Sequence, residues 1–248
     1  MLDKSKLAVL LTACLLQGCV AVTDGPTQEE KASKVNVQLG IGYLQQNKLE
    51  LANEKLSKAL RQDDQSAAAH NAYAILQQRL KQDDLAEYHF QRATELDPND
   101  SNAANNYGTF LCNHGREKES EKYFMQALDN PLYSTPEFAY TNAAVCLLKI
   151  GEAEQAKEYL RQALAQRSDF APALFTMGNL FYDEADYESS KVYMDRYHLV
   201  ARPSATSLWI AIRSSLNVEP DTDVSELVDR LRNDFPDSDE YKQWKEVQ

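Results

Sequence analysis

A small residue recurs along this chain at steps of 34 or 36 residues, and a large apolar residue stands three positions before it. Units of this length cannot bury a hydrophobic face alone, so they stack on their neighbours to build a continuous core. The chain is therefore predicted to form an array rather than one globular core. The small residue is Ala59, Ala93, Ala127 and Ala163, and Tyr197 and Leu231 continue the series at the same spacing. The large residues before these six positions are Leu56, Phe90, Phe124, Leu160, Met194 and Val228.

The clearest unit is residues 101–127, which has the pattern of two short amphipathic helices joined at Gly115. Gly108 stands in the middle of the first helix, where glycine costs about 1 kcal/mol relative to alanine. We therefore predict that the second helix crosses very close to Gly108, with Phe124 as the large partner residue. The turn between the two helices of successive units is predicted at Asn47, Lys81, Gly115, Gly151 and Ala185.

A period of 34 residues with this helix–turn–helix pattern resembles the tetratricopeptide repeat. The resemblance implies an all-α fold, a right-handed superhelix of six repeats covering residues 33–238. The sixth copy lacks the small residues and is expected to deviate as a capping repeat, because a terminal repeat has one unpaired face. The six copies begin at Ser33, Ala67, Ser101, Glu137, Ala171 and Ala205.

Residues 1–18 are predicted to be a signal peptide rather than part of the fold. A basic start precedes an apolar run at residues 7–16, which is too short for a bilayer span of roughly 20 residues. The sequence LQGC at 16–19 resembles the bacterial lipobox, which implies cleavage before Cys19 and lipidation of that cysteine. The alternative is an ordinary signal peptide with an incidental cysteine. Residues 19–32 are then expected to be a polar, lipid-anchored tether.

The residue after Cys19 is Val20 rather than aspartate. In many Gram-negative lipoproteins an aspartate there retains the protein in the inner membrane, so the resemblance implies the periplasmic face of the outer membrane. In the lipobox family this cysteine carries three lipid chains, and several lipid chains anchor a protein firmly where a single one does not.

The net charge of −12 argues against a nucleic-acid partner, whose phosphates would repel this surface.

Two cysteines remain after Cys14 leaves with the signal peptide and Cys19 takes lipid. An even number in an oxidising compartment permits a disulfide. Cys112 and Cys146 lie late in the first helices of adjacent repeats, which run side by side. We predict that these two cysteines are bonded to each other. The alternative is two buried thiols that act as small hydrophobic residues.

Two segments depart from the regular period. The insertion at residues 129–136 accounts for the one step of 36, and it is either a lengthened loop or a partner contact through Leu132 or Tyr133. Residues 239–248 carry Tyr241, Trp244 and Val247 at spacings of three. One face of a final helix there is predicted to cover the end of the array.

We find no constellation of residues typical of an enzyme. The four histidines are dispersed and form no i, i+4 pair of the kind that binds zinc. The sequence contains no GxSxG elbow, no phosphate-binding glycine loop and no HExxH motif. We therefore predict a protein without catalytic residues, metal, cofactor or small-molecule substrate.

A repeat array instead offers a concave surface lined by the first helix of each pair. Positions two, five, nine and twelve of each repeat are expected to face it. This groove would be apolar and amide-rich, which suits an extended strand or a helix with apolar anchors. The alternative for any single residue is packing within the superhelix. The predicted groove residues are Val37, Ile41, Leu44, Asn71, Ile75, Asn105, Thr109, Phe138, Thr141 and Val145.

The segment NNYGTFLC at residues 105–112 resembles the NNYG-x-FLC signature of type IV pilus biogenesis lipoproteins of the PilF/PilW kind. The segment NAAVC at 142–146 resembles their next repeat, with Ala144 where glycine is common. The resemblance implies a pilotin, which brings the pilus secretin subunit to the outer membrane and promotes its multimerisation. Lipidated Cys19 would target the protein to the outer membrane, and the groove would bind the secretin.

The chain is expected to act as a monomer. Other interpretations are an adaptor for outer-membrane barrel assembly or peptidoglycan enzymes, and a structural lipoprotein without a dedicated partner.

Overall fold

The computed structural model describes residues 25–246. Within that range the chain folds into thirteen helices and no strand, so the predicted all-α repeat fold is confirmed. The predicted signal peptide (1–18), the predicted lipidation site Cys19 and Val247 lie outside the described residues. The helices are α1 (Gln28–Gln45), α2 (Leu49–Gln62), α3 (Ala67–Arg79), α4 (Asp83–Leu96), α5 (Ser101–Asn113), α6 (Glu117–Leu128), α7 (Pro136–Lys149), α8 (Ala153–Gln166), α9 (Ala171–Asp183), α10 (Tyr187–Val200), α11 (Ala205–Val218), α12 (Ser225–Asp234) and α13 (Asp239–Glu246).

The helices pack as six antiparallel pairs, and each pair stacks on the next. Each first helix from α1 to α9 contacts the first helix of the following repeat. The backbones of second helices in successive repeats lie farther apart and meet through long side chains, as where Gln155 Nε2 of α8 donates to Glu121 Oε1 of α6 at 3.3 Å. The first helices therefore lie closer together than the second helices, so they line the inner, concave side of the array. None of the described helices is long and apolar enough to cross a membrane.

The recurring small and large residues form the core between the two helices of each pair. The small residues Ala59, Ala93, Ala127 and Ala163 are fully buried. The large residues preceding them are equally buried from Leu56 through Met194. Towards the C-terminus the pattern weakens, because Tyr197 and Val228 are only half-buried.

All five predicted turn residues adopt left-handed backbone conformations. In each turn the N–H three residues past the end of the first helix donates to a carbonyl five residues back, as Arg116 N does to Leu111 O at 3.0 Å. This is the Schellman arrangement, in which a residue with positive φ ends the helix and satisfies its last carbonyls. The φ values are 55° at Asn47, 59° at Lys81, 74° at Gly115, 80° at Gly151 and 61° at Ala185.

Helix α1 begins at Gln28, five residues before the predicted start of the first repeat. The Thr27 hydroxyl accepts from the N–H of Glu30 at 3.1 Å, and the Glu30 carboxylate accepts from the N–H of Thr27 at 2.7 Å. This capping box satisfies two donors at the start of the helix. Residues 28–32 are therefore helix, which corrects the predicted extent of the tether at residues 19–32.

The insertion at residues 129–136 is an anchored turn. Tyr133 packs against Ala104, Ala127 and Ala139, so this side chain belongs to the core. Leu132 is 88% exposed at the tip of the turn.

Helix α13 covers the C-terminal end of the array, as predicted for residues 239–248. Its Tyr241 and Trp244 pack against the buried cluster formed by Leu208, Ile212 and Leu231. The apolar face of the last repeat is thereby removed from water.

Candidate partner-binding groove

The concave side of the first helices carries an uneven row of apolar and amide side chains. Of the ten predicted groove residues, six are exposed or half-buried there. These six are Ile41, Asn71, Ile75, Thr109, Phe138 and Val145.

The other four predicted groove residues lie in the interior, which corrects their assignment to the groove surface. Val37 and Leu44 are only 5% and 4% exposed and belong to the core of the first two repeats. Asn105 and Thr141 are also buried. Each of these residues occupies position five or twelve of its repeat, and in α1, α5 and α7 these positions turn away from the groove surface.

Positions six and thirteen are exposed in their place, and the prediction missed them. Asn106 and Asn142 occupy position six, while Arg79 and Lys149 occupy position thirteen. The spacing of positions two, six, nine and thirteen also follows a 3.6-residue period. The two stripes differ by a rotation of about one residue on the helix, which periodicity alone does not resolve.

Asparagine amides connect the first helices across this surface. Asn106 Nδ2 donates to Asn71 Oδ1 at 3.1 Å, and Asn142 Nδ2 donates to Asn105 Oδ1 at 3.0 Å. Each amide carries two N–H donors and two acceptor positions, so these bonds leave hydrogen-bonding capacity on the half-buried members. Asn71 and Asn106 can therefore offer both a donor and an acceptor to the main chain of a bound segment.

An open pocket of about 430 Å³ lies beside this amide pair, between α1 and α3. Ile41, Leu44 and Ile75 supply apolar lining. The charged groups at its edge are engaged within the protein, since Arg79 Nη1 donates to Leu44 O at 2.7 Å and Asp100 Oδ1 accepts from the N–H of Asn102 at 3.0 Å. The pocket therefore suits an apolar side chain.

A second apolar zone lies on α7, where Phe138 and Val145 are exposed seven residues apart on one helix face. At the edge of this zone, the rings of Phe138 and Phe170 make a T-shaped contact, with centroids 4.7 Å apart. The Arg167 guanidinium lies over both rings and pairs with buried Glu137 at 3.1 Å. This zone therefore presents apolar side chains whose edge is fixed by packing and an ion pair.

Cys112 and Cys146 are joined in a disulfide that ties α5 to α7, with Cα atoms 5.8 Å apart. Both residues are buried, and Ser120 Oγ lies 3.1 Å from Cys146 Sγ. The bond links the two helices that also share the Asn105–Asn142 amide contact.

The four histidines are not all dispersed, contrary to expectation. His70 and His89 meet in the interior of the second repeat, with their Nδ1 atoms 2.8 Å apart. Among residues 25–246, His, Cys, Asp and Glu side chains nowhere form a group of three suited to a metal ion.

Comparison with known proteins agrees with this architecture. The tetratricopeptide repeat family description matches residues 89–122 and 139–170. The chain is a tetratricopeptide-repeat protein.

The chain is also similar over most of its length to proteins of pilus biogenesis. It is 29% identical over 239 residues to the type IV pilus assembly protein PilF of Pseudomonas aeruginosa, covering 96% of this chain and 95% of PilF. The solved structure of P. aeruginosa PilF superposes with a TM-score of 0.81 over 90% of this chain and 100% of that one, at 29% identity. PilW, described as a widely conserved type IV pilus biogenesis factor, superposes with a TM-score of 0.79 at 27% identity, over 89% and 100% of the two chains. The chain is thus a homologue of the type IV pilus biogenesis proteins PilF and PilW.

Proposed function

We propose that this protein is an outer-membrane lipoprotein pilotin. It binds the secretin subunit of the type IV pilus and promotes its localisation and multimerisation at the outer membrane. The observation that carries the proposal is the near full-length relation to PilF, which includes the six-repeat array. The lipobox at residues 16–19 supports an anchor at Cys19 on the periplasmic face.

The proposed mechanism is non-covalent. An anchored adaptor raises the local concentration of its bound partner at the membrane, as any tether does. The groove supplies the binding energy through its apolar zones, while the asparagine amides hold the main chain of the bound segment. The protein acts as a monomer and needs no cofactor or catalytic group.

The groove is tested with Ile75→Glu, which places a charge in the pocket between α1 and α3. The matched control is Val192→Glu, because Val192 is exposed on the second helix of the fifth repeat, outside the concave row. We expect Ile75→Glu to weaken binding of purified secretin subunit at least about tenfold, since burying an unpaired charge is strongly unfavourable. Val192→Glu should bind like the unmodified protein, and circular dichroism should show both variants folded.

Two results would contradict the groove as the binding site. One is normal secretin binding by folded Ile75→Glu, and the other is equal loss in the two variants. Pilus assembly in cells carrying the folded variants separates the pilotin from a structural lipoprotein, because only a pilotin links loss of binding to loss of pili.

The anchor is tested with Cys19→Ala, which removes the lipid attachment and leaves the repeat array unchanged. We expect a folded protein that binds secretin but leaves the secretin multimers misplaced, measured by membrane fractionation. Val20→Ala is the control, because it keeps the lipobox cysteine. Correct localisation of the secretin multimers in the Cys19→Ala variant would show that the lipid has no role in directing them to the outer membrane.

The partner itself is tested by affinity purification from outer-membrane extract with the lipidated protein. Recovery of the secretin subunit supports the proposal. Recovery of barrel-assembly or peptidoglycan proteins without secretin would keep the fold and overturn the function.

A further inference from the structure

A pair of histidines lies buried inside the second repeat. His70 on α3 and His89 on α4 are 5% and 8% exposed, and their Nδ1 atoms lie 2.8 Å apart. His70 Nε2 lies 3.1 Å from the backbone carbonyl oxygen of Asp64, in the turn between the first and second repeats. The pair therefore connects that turn, through α3, to α4.

The chemistry of these contacts determines where the protons lie. A carbonyl oxygen can only accept, so His70 must carry its proton on Nε2 and donate it to Asp64. In the neutral imidazole its Nδ1 is then an acceptor. His89 must therefore donate its own Nδ1–H to His70.

We propose that the His70–His89 pair is a pH-sensitive latch, which holds the turn between the first two repeats against α4 at neutral pH and opens in acid. Nothing in the proposed pilotin function assigns a role to these residues.

Protonation removes the bond in two steps. A first proton can enter at Nε2 of His89 with the bond intact, but it places a charge in the interior. A second proton must go to Nδ1 of His70, the atom that accepts the bond. Two N–H groups would then face each other with no acceptor between them, and the imidazolium charges would repel.

The surroundings resist the charged forms. Burial, and to a smaller extent the neighbouring His70, lower the pKa of His89 to about 4. Burial also lowers the pKa of His70; the Asp64 carbonyl bond and the Asp63 and Asp64 carboxylates oppose this, while Arg92 on α4 adds to it.

Two aromatic rings also pack against the pair. Tyr73 on α3 and Tyr88 on α4 both pack edge-on against the His89 ring, at 4.8 and 5.0 Å between centroids. Neither residue offers a carboxylate that could stabilise an imidazolium. The closed pair therefore resists protonation near pH 6.5, where an exposed histidine titrates.

The sign of the pH dependence follows from these shifts. An opened latch exposes histidines that titrate near pH 6.5, whereas the closed latch resists protonation down to about pH 4 for His89. The open state therefore binds more protons between these values, and acid favours it. Between pH 7 and pH 5 the opening equilibrium should rise about tenfold or more.

Opening would act on the N-terminal repeats first. His70 precedes Asn71, and the same helix carries Ile75, so α3 would move with two groove residues. An effect on partner binding rests on the proposed function, whereas the opening itself does not.

Hydrogen exchange of the whole mature protein tests the latch, with rates corrected for the intrinsic effect of pH. The test variant is His70→Gln together with His89→Asn, which keeps polar groups near the positions of Nε2 and Nδ1 but cannot titrate. The control is His198→Gln, because His198 is a half-buried histidine that also has a side-chain partner, with Nε2 3.0 Å from Ser207 Oγ in the last repeats.

We expect amides of residues 60–95 to exchange about tenfold faster at pH 5 than at pH 7 in the unmodified protein and in His198→Gln. The double variant should show less than about twofold change. The latch is overturned if the double variant keeps the full pH dependence, or if exchange rises equally in all six repeats.

A second measurement decides the matter even if the double variant does not fold. Nuclear magnetic resonance of the unmodified protein reports the titration of each histidine ring. We expect the rings of His70 and His89 to titrate below the ordinary value, in step with faster exchange of residues 60–95. Titration of both rings near pH 6.5 without a change in exchange would overturn the latch.

Discussion

Gly108 of α5 lies directly against the ring of Phe124 of α6: a Cβ atom built on Gly108 would stand 2.9 Å from Cε1 of Phe124. Carbon atoms in ordinary contact are 3.5–4.0 Å apart. Glycine therefore allows the two helices of this repeat to approach closely. The same relationship recurs between Gly178 and Met194, where the built Cβ would lie 2.7 Å from Cε.

Replacement of Gly108 by alanine is expected to destabilise the protein. Overpacking a core costs typically 1–3 kcal/mol, which exceeds the gain of about 1 kcal/mol from alanine in a helix. We expect urea unfolding to show a net loss of up to about 2 kcal/mol. Gly42→Ala is the control, because nothing lies within 4 Å of a Cβ built there. That variant should gain up to about 1 kcal/mol, and shifts of the same sign in both variants would contradict the steric explanation.

Replacement of Ala185 by glycine is expected to stabilise the turn between α9 and α10. Ala185 has a φ of 61°, and a left-handed conformation costs a non-glycine residue about 1–2 kcal/mol. Glycine loses more backbone entropy on folding, so the net gain should be about 0.5–1 kcal/mol in thermal unfolding. The reverse change, Gly151→Ala at a φ of 80°, should cost about 1 kcal/mol. A loss of stability in Ala185→Gly would show that the alanine side chain contributes packing.

Removal of the disulfide with Cys112→Ala and Cys146→Ala is expected to lower stability. The bond joins residues 34 apart, and closing a loop of that size stabilises by about 3–4 kcal/mol through the entropy of the unfolded chain. Chemical unfolding with and without reductant measures this, and reductant should have no further effect on the double variant. Recovery of the two cysteines as free thiols from the unreduced protein would contradict the bond.

The pKa of His114 is expected to lie above its ordinary value of about 6.5. The hydrogen bond from its Nδ1 to the carbonyl of Phe110, at 2.7 Å, is the largest cause, and the Asp83 carboxylate adds to it. Protonated His114 therefore stabilises the folded protein. This contribution is fully present at pH values below the pKa of His114 in the unfolded chain, and it is lost as the pH rises through the higher pKa of the folded state. Titration by nuclear magnetic resonance should show a lower pKa in Asp83→Asn. An unchanged value there would remove Asp83 from the explanation.

The helix pairs could be predicted from the sequence because their signals are local. Gly108 indicated a close crossing, and the five turn positions stood at a constant place in the period. The early start of α1 was missed although its signal is present, since Thr27 and Glu30 have the spacing of a capping box. The repeat pattern begins at Ser33, so the residues before it were not tested for a helix start.

The groove could be predicted only in part. Helical periodicity placed Ile41, Ile75 and Val145 on the inner side, where the structure has Ile41 and Val145 exposed and Ile75 half-buried. It could not separate Asn105, which is buried, from Asn106, which faces the groove beside Asn71. The two differ by one position on the helix, and the rotation of α5 depends on its packing against α3 and α7.

By itself, the sequence determined the six helix pairs and their turns, because period, glycine placement and apolar spacing act within a single repeat. Only the tertiary structure decided which side chains the groove presents and that His70 meets His89. Those outcomes depend on the rotation of each helix against its neighbours, which is set by the packing of residues tens of positions apart. A pattern confined to one helix carries no record of that rotation.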